Sequence, residues 1–546
     1  MRVLAFRKRL NVYFTERRQR FIVKNFMEES KKYVTLIEVG KKQNYIFSSN
    51  RLSENVGASI IIRKVTEEDT RAFYKRYSPE IVYEGGGKAL YVFADKDDGI
   101  SFARKYSRYV MEEYPGLVLS IVGYELMNGA SVKEGVAECY RLMEQKKNRV
   151  QYRTCMIDFG STLRCAETNL PAVPHDRIVL PEDRQQKPIS AESITKYKYS
   201  STKRNSYFSE FLPQNYQFPD KTDLIGRSKD EKSYIAIVHI DGNRMSNKIS
   251  KFNEAMIPKK EETRESFDQR YIRGLKNLSN EIDEKYKEAF RELVSTIVEN
   301  LDKLKGVLNL TEGYLPIRPL IMAGDDICFA SDGRIGVDAA RIFLENIQRK
   351  QVQGIPLNAC GGVAIVKSHF PFSRAYDLAE ALCRNAKNAV PEDQDASFID
   401  WHIEQGELKD SLRQIRDQYK AEDGSWLTVK PYRITGEMDA DSFRHFEDAF
   451  DQLTKSEIPR SKIIGMRDVA YKGKTATEYY LKINQIADEL HRTNWKRGEC
   501  GFTKINGEEK HLFFDAMEML DMYVKIEDQN GKKESDEVYF GGRVKV

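Results

Sequence analysis

YIAIVHIDGNRMS (residues 234–246) and LIMAGDDICFA (residues 320–330) decide the fold between them. Each holds a short apolar run that ends in acid. In the first, Ile235, Ile237, Val238 and Ile240 predict a buried strand closed by Asp241. In the second, Leu320 to Met322 and Ile327 to Ala330 predict two strands joined by the tight turn Ala323-Gly324-Asp325-Asp326, whose glycine tolerates positive φ. With these strands side by side, Asp241 faces Asp325 and Asp326 across a few ångströms. Three carboxylates that close do not all stay ionised without a cation, so the pattern predicts a hard divalent metal with oxygen ligands. This is the donor set of two-metal phosphoryl chemistry, in which the ions hold the attacking and the leaving oxygen. Asp241, Asp325 and Asp326 are therefore the candidate catalytic and metal-ligating residues, with two Mg²⁺ or Mn²⁺ ions as the expected cofactor. Side chains pointing apart, or an ion pair tying one of these acids to a lysine or arginine, would sink the synthetase reading that rests on the pocket.

Outward from this centre, the element order is strand (234–240), long helix (271–304), hairpin (319–330), helix (334–349), strand (357–366) and helix (373–388). The same order stands earlier in the chain. There it is a strand at 33–39, a helix from about 49, strands at 81–84 and 89–94, a helix at 100–113, a strand at 117–124 and a helix at 131–146. The expected fold class is α+β: two ferredoxin-like palm domains (βααβ-type repeats) joined by an irregular connector, plus a C-terminal helical domain. The expected domains are a basic leader (1–30), a first palm (31–149), a connector (150–230), a second palm (231–436), a helical domain (437–527) and a polar tail (528–546). Glu38 stands in the first palm where the second has Asp241, and Gly87-Lys88 where the second has Asp325-Asp326. The first palm is thus expected to be degenerate and the second catalytic. The glycine triplet Gly85, Gly86 and Gly87 reads either as a sharp turn or as a close backbone approach to a nucleotide.

Composition sets the outer bounds. With 546 residues the chain holds about three or four domains. Its formal charge of +5 is too mild to argue for nucleic acid by itself. Seven cysteines lie far apart, which fits reduced intracellular thiols better than a disulfide framework. No apolar run reaches membrane-spanning length, so no membrane partner and a cytoplasmic location are expected. Arg7-Lys8-Arg9 and Arg17-Arg18 read as a solvated leader or a nucleic-acid arm, and Met27 is an alternative start. Cys155, Cys165 and His175 lack a fourth ligand and a zinc-site spacing, so an ordered connector is the better reading. Past the second palm, 397–405 and 427–434 predict added strands, followed by helices at 442–453, 459–470, 475–490 and 511–524.

QNYIFSSNRLSENVGAS (43–59), HIDGNRM (239–245), AGDD (323–326), KPYRI (430–434) and IPRSKI (458–463), in this order, resemble the large polymerase-like subunit of type III CRISPR effector complexes, the cyclic-oligoadenylate synthetase. The second palm is also similar to GGDEF-type nucleotidyl cyclases, with AEALCRNAK (379–387) resembling their helix that carries a phosphate-binding lysine, here Lys387. The resemblance implies one ATP per palm, with metals at Asp241, Asp325 and Asp326 activating a ribose hydroxyl against an α-phosphate and releasing pyrophosphate. Gly242, Asn243 and Ser246, at a helix start, would meet the triphosphate, as would Gly324 and Lys387. Lys387 on its own reads equally well as a solvated helix lysine.

Two departures bear on this. The family's glycine-glycine turn is Ala323-Gly324 here, and the second acid of its first motif is Asn243. The length before the first palm leaves no room for the family's amino-terminal HD nuclease, so DNA cleavage of that kind is not expected. The leading reading is an enzyme joining ATP into cyclic or linear oligonucleotide messengers in antiviral defence. The alternatives are a non-catalytic nucleotide-binding scaffold of an RNA-guided complex and a stand-alone synthetase. Expected partners are nucleoside triphosphates and, through the C-terminal helices, guide or target RNA and small effector-complex subunits.

Overall fold

The computed structural model describes residues 32–127, 129–149, 160, 162–174, 187–225, 233–404, 411–486 and 499–527. The basic leader, Cys155, His175 and the polar tail lie outside the described residues. The chain divides into two compact units that do not follow linear order. Among the described residues, one takes 32–41, 62–149 and 253–277, and the other takes 42–61 with the described parts of 156–252 and 278–546. Residues 42–61, expected inside the first palm, thus pack with the second unit.

In the first unit, β1 (Tyr33–Gly40), β2 (Glu80–Gly85), β3 (Lys88–Phe93) and β4 (Val118–Glu125) form an antiparallel sheet in the order β2-β3-β1-β4. β1 is the centre because Val34, Leu36, Ile37 and Val39 bury side chains on both its faces. The helix Lys96–Glu113 starts where the Asp95 side chain accepts a hydrogen bond from the Asp98 amide. The last helix of the unit spans Val132–Arg149.

The second unit repeats that order with β5 (Tyr234–Gly242), β6 (Ile317–Ala323) and β7 (Asp326–Asp332). A two-strand ribbon, β8 (Gln351–Val352) and β9 (Ile355–Pro356), precedes β10 (Ala359–Lys367). The sheet runs β6-β7-β5-β10 and is extended by β11 (Ser397–Ile403), parallel to β10, and by β12 (Tyr432–Ile434). Both units therefore have the ferredoxin-like strand order that the sequence repeat predicts. The helices that frame the second sheet's end are labelled α1 (Lys42–Ile46), α2 (Met245–Ala255), α3 (Arg264–Glu299), α4 (Gly336–Gln348) and α5 (Phe372–Asn388). In α3, Tyr286, Phe290, Leu293 and Ile297 recur at helical spacing and are fully buried.

Two expectations for the later chain need correction. The strand expected over 427–434 shrinks to β12. The helix expected over 511–524 is instead the end of a hairpin, β13 (Phe502–Ile505) and β14 (Glu508–His511), followed by a short helix Phe514–Glu518. Asn506 and Gly507 form its turn, both at positive φ (51° and 85°). An Asn-Gly pair is the strongest local hairpin signal. The helices Phe443–Lys455, Arg460–Ala470 and Lys474–Ile483 are as expected, apart from an earlier end to the last. The following segment is held to α4 by Asp338, which accepts from the Tyr523 hydroxyl (3.0 Å) and the Ile526 amide (2.8 Å).

Candidate active site

The site grows from strand register. β5 and β7 pair antiparallel with Asp241 directly opposite Asp326, and β6 closes on β7 with Ala323 opposite Asp326. Gly324 and Asp325 are the two loop residues, and Gly324 sits at φ 66° while Asp325 stays at negative φ. That pattern is a type II′ turn, which requires glycine at the first loop position. The turn is pinned by α3, where Asp283 accepts from the Gly324 amide at 3.1 Å.

Asp325 packs on Gly242. A Cβ at 242 would lie 2.8 Å from Asp325 Cβ, 2.9 Å from its Oδ2 and 2.6 Å from the Tyr286 hydroxyl oxygen. Glycine at 242 is therefore the residue that lets the carboxylate and the phenol share one small space. Burial pushes the Asp325 carboxyl up to about 6, and the Asp241 charge adds to the shift. Burial likewise raises Asp326, against the pull of His239 and Lys42. The three acids thus repel one another as their proximity demands.

Lys387, near the end of α5, supplies the compensating charge. Its Nζ lies 2.6 Å from Asp241 Oδ2 and 2.9 Å from the Gly242 carbonyl oxygen. Burial works against its charge, but Asp241 more than offsets it, and the Lys387 pKa is raised. The condition set against the synthetase reading is therefore met at Asp241, by the same lysine that the resemblance assigns to the triphosphate. Among the described residues, moreover, no group of three or more His, Cys, Asp or Glu side chains is drawn together tightly enough to hold a metal. The expectation of a ready three-carboxylate cage is corrected to two acids at the hairpin and a third engaged by lysine.

The donor chemistry still suits a hard cation. Asp326 Oδ1 is a buried acceptor with no hydrogen-bond partner, and the Lys387 ammonium is a stand-in cation on two oxygen donors. The residues fit a metal that displaces Lys387.

The other expected nucleotide contacts divide. The Gly242 and Asn243 amides are already spent on the carbonyls of Asp325 (3.3 Å) and Asn358 (2.8 Å). Asn243 is buried, and its Nδ2 donates to the Ala396 carbonyl at 2.7 Å, so its side chain braces the turn. Ser246 is exposed in the first turn of α2. Gly85, Gly86 and Gly87 belong to the first unit, at φ 146°, 61° and 77°, and the Gly87 carbonyl accepts from the Val39 amide.

Four polar groups were not singled out from the sequence. Tyr286 is fully buried with no partner for its hydroxyl, and burial, then the charges on Asp325 and Asp241, raise its pKa well above the usual phenol value. Lys248 is buried 3.5 Å from Asp395, and burial lowers its pKa against the pull of Asp395 and Asp325. His239 Nδ1 lies 3.3 Å from the Tyr376 hydroxyl and 3.8 Å from Asp326 Oδ1. Tyr376 in turn stacks on Phe47, just past α1, at 4.4 Å between ring centroids. The period-2 position of His239 before Asp241 was the one signal available, since it puts both side chains on one sheet face.

No protein-family model matches the chain, and no curated protein sequence does. Solved structures do. A Csm1-Csm4 cassette in complex with cA4 aligns at TM-score 0.53 and 11% identity, over 90% of this chain and 70% of that one. The cassette in complex with cA3 aligns at 0.53 and 12%, over 91% and 70%. Csm1 from T.onnurineus aligns at 0.53 and 12%, over 90% and 70%. The chain has the Csm1 fold. At this identity the likeness speaks for the fold alone, and the Csm1 fold agrees with the α+β double palm read from the sequence. Among the described residues no helix is long and apolar enough to cross a membrane.

Proposed function

We propose that the second unit binds a nucleoside triphosphate at the end of β5 and β7, and that the chain is a nucleotidyltransferase of cyclase type. On this reading it joins ATP into cyclic or linear oligoadenylates that act as messengers in antiviral defence. The observation that carries the reading is Asp241 in register with Asp326, with Asp325 in the intervening turn. Its fold is shared with Csm1 chains crystallised with cA3 and cA4. Bound Mg²⁺ or Mn²⁺ would neutralise the attacked α-phosphate and lower the pKa of the attacking ribose hydroxyl. Asp241, Asp325 and Asp326 would hold it. Asp326 brings a buried oxygen with no hydrogen-bond partner, and Asp325 is positioned by the Gly324 turn and by its packing on Gly242. Lys387 would follow the triphosphate, and Gly85 to Gly87 would let the first unit's own backbone approach a nucleotide closely. Incubation with ATP and Mn²⁺ is expected to yield pyrophosphate and a new phosphodiester, seen by mass spectrometry, and Asp326→Asn to abolish both. No product from any ribonucleotide would reject the reading.

A second reading, a scaffold that holds nucleotide without turnover, is favoured by the Lys387–Asp241 pair and by the burial of Asn243. It predicts calorimetric binding of ATP that is recovered unchanged. Because two of the matching Csm1 structures are cassettes with Csm4, both readings carry a proposed protein partner of that kind, RNA, and a cytoplasmic setting. Co-purification of RNA and small subunits from native cells tests this.

A further inference from the structure

We infer that Lys387 is a built-in substitute for the metal, and that nucleotide opens Asp241 to the cation by drawing the Lys387 ammonium onto its phosphates. This deepens the reading above and rests on it for the nucleotide's part only. The ammonium touches one carboxylate oxygen at 2.6 Å and one backbone carbonyl oxygen at 2.9 Å, a pair of donors that a hard cation also selects. Neither partner is locked in. The side chains of Lys387 and Asp241 are 29% and 39% exposed, and a lysine stem of four carbons reaches several positions. One ammonium also leaves the site short of positive charge. Asp325 packs on Gly242 beside Asp241, Asp326 stands opposite Asp241 in the register, and Lys248 is committed to Asp395.

The first unit supplies an internal control. Lys147 follows Ser120 at the same interval at which Lys387 follows Cys360, and Ser120 and Cys360 are the register partners of Glu38 and Asp241. Lys147 Nζ duly lies 2.9 Å from Glu38 Oε1. Opposite Glu38, however, stands Lys88 where the second unit has Asp326. There Lys147 is shared between Glu38 and Glu144 (3.0 Å), and with Lys88 opposite Glu38 its removal does not uncover a cluster of three acids. At Asp241 its removal uncovers three acids.

The test is Mn²⁺ affinity of the full chain, read by electron paramagnetic resonance without nucleotide. Lys387→Met is expected to tighten Mn²⁺ binding by about tenfold or more, Lys387→Arg to leave it weak, and Lys147→Met to leave it unchanged. A non-hydrolysable ATP analogue is expected to tighten Mn²⁺ binding in the parent chain and to add less in Lys387→Met. Equal or weaker Mn²⁺ binding by Lys387→Met overturns the inference, as does equal tightening by Lys147→Met. Lys387→Gln repeats the comparison if the methionine variant fails to fold, with thermal melting as the check. If Lys387→Met gains Mn²⁺ affinity while no variant turns over ATP, the inference stands and the transferase reading falls.

Discussion

The two palms share a skeleton and differ at its tip. In each, the first strand ends in an acid, the hairpin strand sets one residue opposite it, and a lysine on the last helix reaches back to pair with that acid. The first palm completes the pattern as Glu38, Lys88 and Lys147, which carries a net positive charge. The second completes it as Asp241, Asp326 and Lys387, with Asp325 beside them, and carries a net negative charge. The residue after the acid differs too. It is a buried Val39 in the first palm and Gly242 in the second. The strand order makes such a tip possible, and two or three side chains decide whether it attracts a cation or repels one.

The largest expected effect follows from that charge reversal. Asp326→Lys, which copies the first palm, is expected to reduce product formation by about 10²- to 10³-fold or more, whereas Lys88→Ala leaves it where it was. Pyrophosphate release with ATP and Mn²⁺ measures both. Equal losses would mean that the tips do not differ in function.

Next comes the space at 242. Gly242→Ala drives a methyl into Asp325 and the Tyr286 hydroxyl, and is expected to cost about 1–3 kcal/mol of stability while displacing the carboxylate. Val39→Ala, at the matching position, opens a small cavity and costs a comparable amount without touching activity. Urea denaturation alongside the turnover assay separates the two. A Gly242→Ala protein of full stability and full activity would break the claim that this glycine makes the site.

A smaller effect is pH-dependent. Asp325 titrates near 6 in the folded chain, above the ordinary value of 3.8. The folded state therefore binds the extra proton, and the cost of ionising Asp325 enters as pH rises from about 4 to about 6, so this contribution to stability is lost on going up in pH, not down. Asp325→Asn is expected to gain about 1–3 kcal/mol above pH 6 and nothing below pH 4, by denaturant titration at the two pH values. A gain independent of pH would remove the acid cluster as its cause.

Much of this was legible. Apolar runs that stop at Asp241 and Asp326 fix where strands end, and the period of two fixes their faces, so the register was within reach of the sequence. Lys387 as a phosphate ligand comes from the resemblance of 379–387 to the cyclase helix, and its helical setting is readable from the apolar spacing. Its pairing with Asp241 is not, since that depends on where the end of α5 falls against the end of β5, a distance no spacing encodes. The same holds for residues 42–61, whose strong helical pattern says nothing of which sheet they pack on. Asn506-Gly507 is a different case: the hairpin signal was present, and the flanking helical periodicity overrode it. Tyr286 and Lys248 look like any polar residue on an amphipathic helix until the partner across the interface is known.

Tyr286 gives the finest test of how the second palm is tuned, because the first palm has no glycine at the matching position to admit such a group. A buried hydroxyl with no partner costs stability, so if it is a passive filler Tyr286→Phe is neutral or stabilising by about 1 kcal/mol. If instead it donates to Asp325 once that carboxylate is ionised and turned by a ligand, the same change weakens Mn²⁺ binding in the presence of an ATP analogue while leaving the melting temperature unchanged or higher. Both oxygens lie within 3 Å of one point beside Gly242, so the phenol and the carboxylate border the same small space. The sign of the change in Mn²⁺ affinity, read against the sign of the change in melting temperature, decides between filler and donor. Only the donor outcome makes the phenol part of what separates this palm from its degenerate twin.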